Sequence, residues 1–438
     1  MLPDYLAKAV PNPGTNRRPW YSNTAPSYAG IFLWIAFYQQ MAGSTVAHAG
    51  LGLCLLALLL AGLLCYGLYY FVPAMLGMKT GFPLYVVGSS TFGAKGGYIM
   101  PGLLMGLLQI GWFAVATYFA SDFILKGLGM QSQPATAPFI VVGLLWGLVM
   151  AWVGAKGIQY VAKVSLLLNA IPLIMLLIVL FQTAGGIGQY QVPAGQRDSF
   201  LGFTSVLAIV IGFFATAGAA GADFGMNARN GSDVKMGGLV GIALAVLVAG
   251  GLPLLSVAGA HGLNSSLAGW DYGDVIQNIG GPIASAMFFL FAIASIPPTC
   301  FCAFIAGNSF STMIPGVSRV ASTMTGAVVG ILLAVTGVAA NLISFFTIVG
   351  ASFGPICGAM AADYLLSGRK WAGPREGVNW AGYIAWAIGF AVGILPFVLP
   401  AGQAANAQPA ALYSFITGFA VYAVLSKIGL EPKIVAMK

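Results

Sequence analysis

The sequence predicts an all-α membrane protein with twelve transmembrane helices, and three observations carry that reading. Of 438 residues, 59% are hydrophobic and only 6% charged, with a mean hydropathy of +0.90, where a soluble domain carries about 25% charged residues. Apolar runs recur along the whole chain, each long enough to cross about 30 Å of hydrocarbon, which takes about 20 helical residues. The basic residues fall in the connections between those runs, and almost all of them on one side.

In chain order the runs are Ser27–Ala47, Gly50–Met75, Gly97–Phe123, Ala137–Val153, Val161–Phe181, Leu201–Ala222, Met236–Ala258, Pro282–Phe310, Ala321–Val338, Asn341–Leu366, Trp380–Leu399 and Ala410–Lys427, numbered below as spans one to twelve. Residues 27–427 thus form a single transmembrane domain between an N-terminal tail, 1–26, and a C-terminal tail, 428–438. With the N-terminus in the cytoplasm, the inner connections hold Lys8, Arg17, Arg18, Lys79, Lys95, Lys156, Lys163, Arg229, Lys235, Arg319, Arg369, Lys370, Arg375, Lys427, Lys433 and Lys438, leaving only Lys126 and Arg197 of the 18 basic residues outside. An error of one span would scramble that asymmetry, so it supports both the count and two cytoplasmic termini, as expected of a multi-pass protein of the plasma (inner) membrane.

The same placement explains the net charge of +8 without a nucleic-acid partner, since the charges form no stripe on one face. Cys54, Cys65, Cys300, Cys302 and Cys357 all lie in apolar stretches and read as small packing residues rather than disulfide partners or metal ligands. Prolines punctuate residues 1–26, which have no apolar core, so a cleavable signal peptide is not expected and the first span serves insertion.

Spans three, six and eight carry the polar or pliable residues that lipid would not explain. Span six holds Gly212-Phe213-Phe214-Ala215-Thr216-Ala217-Gly218-Ala219-Ala220-Gly221-Ala222-Asp223, whose weak backbone restraints suit a helix broken around a substrate near the bilayer midplane; the same small residues suit tight helix packing. In span three, Gln109 and Trp112 project from one helical face, with Gly111 beside them, and an amide next to an indole can bond and stack a planar polar ligand. Both could equally bond and pack against neighbouring helices. In span eight, Ser295 and Thr299 bracket Pro297 and Pro298. The prolines free carbonyls one turn earlier, so these oxygens form a neutral cage for Na⁺ or accompany an ordinary proline kink.

All ten acids lie in loops or near span ends, and His48 and His261 lie near outer ends. A proton relay needs a titratable residue inside the membrane, so Na⁺ coupling is expected over H⁺ coupling, with Asp122 the one acid placed to argue otherwise. Neither a histidine cluster, a paired-acid motif nor a Ser-His-Asp arrangement is readable, so an enzyme and an organic cofactor are not expected.

Five further pieces share an order and spacing: Gly77-Met78-Lys79-Thr80-Gly81 with Phe92-Gly93-Ala94-Lys95-Gly96; Gln109-Ile110-Gly111-Trp112-Phe113; Ala217-Gly218 with Ala222-Asp223-Phe224 and Ala228-Arg229-Asn230; Pro355, Gly358 and Ala362-Asp363-Tyr364; and Val378-Asn379-Trp380. Through them nearly the whole chain resembles the nucleobase:cation symporter family of purine/cytosine permease type, nearest in motifs to bacterial cytosine permeases. That resemblance implies a 5+5 inverted-repeat (LeuT-type) core, with 27–181 related to 201–366, discontinuous helices in spans one and six, and two peripheral helices over 380–427. It implies that Gln109 and Trp112 bond and stack a base, that Phe214 lies on the other side of the ring, that the backbone around Phe213 and Phe214 bonds its edge, and that Thr216 supplies a nearby hydroxyl. For Na⁺ it implies the Thr299 hydroxyl, with Ser295 beside it and carbonyls of Phe32, Ile35 and Ala36.

The chain departs from cytosine permeases in span eight, where Ser295 and Cys300 stand in place of asparagines and Pro298 in place of a threonine. The lost amides would have read the ring edge, and Gln39 and Gln40 of span one could replace them. The expectation is a symporter importing a small planar nitrogen heterocycle, such as a cytosine- or purine-like nucleobase, by alternating access. The alternatives are an allantoin, hydantoin or vitamin-precursor carrier (thiamine-pyrimidine or pyridoxine type) and, in another class, a passive channel. Expected partners are the heterocycle and the lipid bilayer, with the protein a monomer or loose oligomer.

Overall fold

The computed structural model describes residues 2–156 and 158–437, without the side chains at 158, 160, 162–166, 401 and 402. Met1 of the expected N-terminal tail, Lys438 and the Lys163 side chain therefore lie outside the described residues. Among those described, nine helices are long and apolar enough to cross a membrane: Leu51–Thr80, Gly96–Gly127, Ala137–Lys156, Leu167–Gln189, Ser199–Ala219, Gly231–Leu263, Gly281–Met313, Leu342–Leu366 and Ala410–Lys427. They fall on spans two to eight, ten and twelve. The remaining three expected spans are shorter or broken helices. Span nine is Arg319–Val335 and ends at Gly337, whose φ of 83° only glycine adopts readily. Span eleven is Trp380–Gly393, interrupted at Ile394 just before Pro396.

Span one is discontinuous. A helix over Thr24–Phe32 stops, Trp34 is extended (φ −69°, ψ 128°), a single tight turn covers Ile35–Phe37, and short helices follow at Met41–Ser44 and Val46–Ala49. Span six is also interrupted, at Ala220 within the small-residue stretch Gly212–Asp223, but near its end rather than its middle: the helix runs without a break from Ser199 to Ala219, through Gly212–Thr216, and resumes over Gly221–Gly225. The glycines serve close approach instead of unwinding: a Cβ on Gly212 would lie 2.6 Å from the carbonyl oxygen of Phe346 in span ten, and one on Gly218 would lie 2.6 Å from the Cβ of Tyr69 in span two. Without a hydrophobic force between helices in lipid, such backbone contact is what holds them together.

Spans one, two, six and seven pack as one group, and spans three, four, eight and nine as another. Span five lies against spans seven and eight, and span ten joins span six to span twelve. Polar stitching seals the end that carries both termini. The Tyr5 hydroxyl donates to the Ala94 carbonyl (2.7 Å), Arg17 Nη1 to the Met78 carbonyl (2.8 Å), and the Arg18 amide to the Asn227 carbonyl (2.7 Å). The N-terminal residues are therefore a docked strap over the ends of spans two and six rather than a free tail.

On the same face Arg375 is a buried hub. Its Nη1 donates to Asp363 Oδ1 (3.0 Å) and to the Ser90 carbonyl, and its Nη2 to Glu431 Oε2 (2.8 Å), while Glu431 Oε1 accepts from the Tyr422 hydroxyl (2.6 Å). Asp363 also accepts from Ser90 and from Thr91 Oγ1 (3.0 Å). The network joins the end of span ten, the segment between spans two and three, and the C-terminal residues. Removing one partner strands a desolvated charge, which costs about 3–5 kcal/mol. Asp363→Ala should therefore lower apparent stability in detergent by about that much, read as a fall in melting temperature, whereas the exposed Asp4→Ala, which breaks the surface pair with Lys8, should leave the melting temperature nearly unchanged. Equal losses in the two variants would show that the hub carries no special weight.

Candidate functional site

The break in span one lies against a cluster of aromatic rings. Trp112 of span three meets Phe213 edge-on (centroids 5.2 Å, 79°), Phe345 edge-on (4.8 Å, 84°), Phe346 at 5.7 Å and Trp34 at 5.7 Å. Phe213 in turn meets Phe37 at 4.9 Å and Phe346 at 5.4 Å. The helical spacing of Gln109 and Trp112 brings both to this side of span three, Gly111 letting Phe345 lie against the backbone between them, where a Cβ would sit 2.5 Å from its ring. Four spans thus contribute rings to one place: one, three, six and ten.

Few polar groups enter the cluster. Trp112 Nε1 donates to Thr216 Oγ1 (3.2 Å), tying span three to span six. Gln109 is 8% exposed, and its Nε2 has only the sulfur of Met105 at 3.7 Å, so most of the hydrogen-bonding capacity of its amide is free. Trp34 Nε1 is buried with no partner among the described residues. A ring held between two aromatic faces needs about 7 Å between them, two contact distances of about 3.5 Å. The observed centroid spacings leave no such slot, so the rings must part to admit a planar ligand. Two surface cavities, of about 340 and 360 Å³, lie elsewhere, one beside the docked N-terminal strap and one beside Lys126.

The other residues singled out in the sequence are placed differently. Phe214 stacks on Phe32 (5.4 Å, 16°) and faces Tyr28 (5.6 Å); Phe213 is the ring that meets Trp112. Because Gly212–Ala219 is helical, the backbone groups of Phe213 and Phe214 sit within a continuous helix and are not presented to a ring edge. Gln39 accepts at Oε1 from the Gly273 amide (3.1 Å). Gln40 donates to the Ala340 carbonyl and accepts from the Leu342 amide, both at 3.1 Å. Both amides hold the broken span against the loop after span seven and the start of span ten, so neither replaces the missing span-eight amides in this conformation.

The oxygens considered for an ion divide in two. Ile35 O accepts from the amides of Tyr38 (3.1 Å) and Gln39 (2.8 Å), whereas no hydrogen bond among the described residues reaches the carbonyls of Phe32 and Ala36. In span eight the helix hitches at Ser295; the Ser295 hydroxyl donates to the Ala292 carbonyl (2.7 Å) and the Thr299 hydroxyl to the Ser295 carbonyl (2.6 Å). Both hydroxyl oxygens keep lone pairs free. Trp34, Phe37, Phe345 and Phe346 were not singled out by sequence, since aromatic residues in an apolar run look like any other lipid-span residue. The one usable signal was a tryptophan mid-span in a run with no other indole, at Trp34.

Comparison with known proteins gives one consistent result. Residues 10–421 match the model of the family described as permeases for cytosine/purines, uracil, thiamine and allantoin. The cytosine permease of Escherichia coli (strain K12) is 29% identical over 353 residues, 78% of each chain. In fold, the chain is similar to Mhp1, a nucleobase-cation-symport-1 family transporter, in its inward-facing conformation (TM-score 0.69, 16% identity, 100% of this chain and 97% of that one) and in a closed conformation with bromovinylhydantoin bound (TM-score 0.66, 19% identity, 94% of each). A Na⁺-coupled sialic acid symporter shares the fold more distantly (TM-score 0.59, 13% identity, 99% of this chain and 93% of that one). These matches are to transporters and permeases, not enzymes.

At the other end of the molecule from the termini, Asp122 pairs with Lys126 (2.9 Å), which answers its charge without a relay. Asp271, in the loop that Gln39 holds, is pushed up to about 6, chiefly by burial and next by the neighbouring Asp274, against the opposing pull of Lys126. The folded protein therefore keeps a proton on Asp271 that the unfolded chain releases near pH 4. Stability from this group is present below about pH 4 and is lost as pH rises through about 6. Between pH 4 and 7 the wild type should lose up to about 3 kcal/mol more stability than Asp271→Asn, which cannot ionise; parallel melting-temperature profiles for the two proteins would contradict this.

Proposed function

The chain belongs to the family of permeases for cytosine/purines, uracil, thiamine and allantoin, and from that premise we propose that it is a secondary active transporter that imports a small planar nitrogen heterocycle by alternating access, coupled to Na⁺. The observation that carries this reading is the aromatic cluster at the break in span one, built by four spans. Trp112 and Phe213 supply the two faces for the ring once they separate, Gln109 reads its edge, and Thr216 sets the indole of Trp112. The grouping of spans one, two, six and seven against three, four, eight and nine supports a 5+5 repeat, because each group holds pairs five spans apart. Nine long helices and three short or broken ones suit twelve crossings with both termini cytoplasmic. For the ion, the candidate oxygens are the carbonyls of Phe32 and Ala36 in span one and, in span eight, the hydroxyls of Thr299 and Ser295, whose lone pairs accept no hydrogen bond among the described residues.

Cytosine- or purine-like bases lead the candidate substrates, because of the similarity to cytosine permease; hydantoin and allantoin follow, because a hydantoin occupies the related fold. A panel of these compounds with the purified protein separates them. A ligand that binds the folded state raises its melting temperature by mass action, so one class should stabilise the protein, and more in Na⁺ than in an inert cation. No shift with any heterocycle would remove the reading. Trp112→Ala should weaken binding of the stabilising heterocycle about 10- to 100-fold, the loss of one stacking face at roughly 1–3 kcal/mol, and retained affinity would take Trp112 out of the site. Thr299→Ala should raise the Na⁺ concentration needed for that stabilisation about tenfold while leaving affinity at saturating Na⁺ nearly unchanged; equal loss at low and saturating Na⁺ would make Thr299 purely structural.

A further inference from the structure

We propose that the indole N–H of Trp34 is a specificity-determining donor that binds the ring carbonyl of an uncharged lactam, a heterocycle carrying adjacent C=O and N–H. The proposal rests on the transport reading above and names the chemistry of the edge that the site selects.

Trp34 lies where span one leaves its helix, with an extended backbone that turns the residue out of the helical register. The residue is 7% exposed, and its buried Nε1 has no hydrogen-bond partner among the described residues. Three other indoles are bonded: Trp112 to Thr216, Trp371 to the Val87 carbonyl (2.9 Å) and Trp386 to the Ser352 carbonyl (2.9 Å). The Nε1 of Trp146 in span four is likewise buried without a partner among the described residues, but that ring makes none of the contacts of the aromatic cluster. A buried donor left unmade is costly, and native structures rarely tolerate one without a reason such as a ligand. Here the ring of Trp34 stands 5.7 Å from that of Trp112, beside the face proposed to stack the substrate.

The polar inventory then defines the ligand. Trp34 can only donate, so its partner is an acceptor. Gln109, with its amide held only by a thioether, offers one further donor and one acceptor. A C=O accepting from Trp34 Nε1 and a neighbouring N–H donating to Gln109 Oε1 satisfy the indole donor and the amide acceptor, and a further ring acceptor would take the remaining Gln109 N–H. Among the described residues, no hydrogen bond, ion pair or cation–π contact joins an Asp, Glu, Lys, Arg or His to Trp34, Gln109, Trp112 or Phe213. A charged ligand would be desolvated there with nothing to answer it, so cationic aminopyrimidines and carboxylated heterocycles are rejected.

Paired ligands that differ by one carbonyl test the assignment: hypoxanthine against purine, and 2-pyrimidinone against pyrimidine, measured by calorimetry on the full chain in saturating Na⁺. In the wild type the lactam of at least one pair should bind about tenfold or more tightly than its partner. In Trp34→Phe that gap should close, with the carbonyl-free ligand unaffected, because the loss belongs to one hydrogen bond rather than to the shape of the site. Should Trp34→Phe fold poorly, as judged by its ligand-free melting temperature, benzothienylalanine at position 34 keeps the bicyclic ring without the N–H. An undiminished gap in either variant overturns the role of Trp34 while leaving the transport reading intact. Failure of every heterocycle to bind the wild type overturns both.

Discussion

A polypeptide in hydrocarbon cannot leave its backbone groups unpaired, and span one breaks its helix at the depth where that rule is strictest. Each unsatisfied N–H or C=O there costs several kcal/mol unless protein, water or a ligand covers it. The rest of the architecture follows from covering this break. Rings from spans three, six and ten enclose it on one side, and the amides of Gln39 and Gln40 are spent holding its second half against the loop after span seven and the start of span ten. Among the described residues, the groups at the break left without a hydrogen bond include the carbonyls of Phe32 and Ala36 and the indole N–H of Trp34. Those are the groups an ion and a ring edge would satisfy.

Covering the break also restricts how the molecule can move. The rings around Trp112 are too close to admit a planar ligand, so the two groups of spans must shift relative to each other before one can enter. At the end that carries the termini, that shift meets resistance. The docked N-terminal strap and the Arg375 hub tie the segment between spans two and three to the ends of spans ten and twelve. A desolvated ion network of this kind has two sharp states, made or broken, rather than a graded response. At the opposite end the ion pair among the described residues, Asp122–Lys126, lies within one helix and ties no spans together, and the contact across the break is the one Gln39 makes to Gly273.

Much of this was legible in the sequence, because in a membrane the length of an apolar run and the sidedness of charge are direct physical constraints. The last run, Ala410–Lys427, is a helix with those same ends. Gln109 and Trp112 could be picked out because an amide and an indole three residues apart have little reason to sit together in lipid. Two things were less legible. The glycines of span six read equally as a hinge or as a packing surface, and only the approach of Phe346 and Tyr69 decides for packing at Gly212 and Gly218. In span one, Phe32-Leu33-Trp34-Ile35-Ala36 carries neither glycine nor proline, so nothing local announces where the helix stops. The break there is imposed by tertiary contacts, and with it the position of Trp34.

Accumulation is the most direct test of the central claim, that the cluster serves coupled transport rather than passive passage. The protein would be reconstituted in sealed liposomes and given a radiolabelled heterocycle that stabilises it, with and without an inward Na⁺ gradient. A coupled transporter concentrates the compound inside above its external level only while the gradient stands, and loses that excess when an ionophore collapses it. Uptake that stops at equal concentrations regardless of the gradient would contradict the account and leave a channel or uniporter in its place.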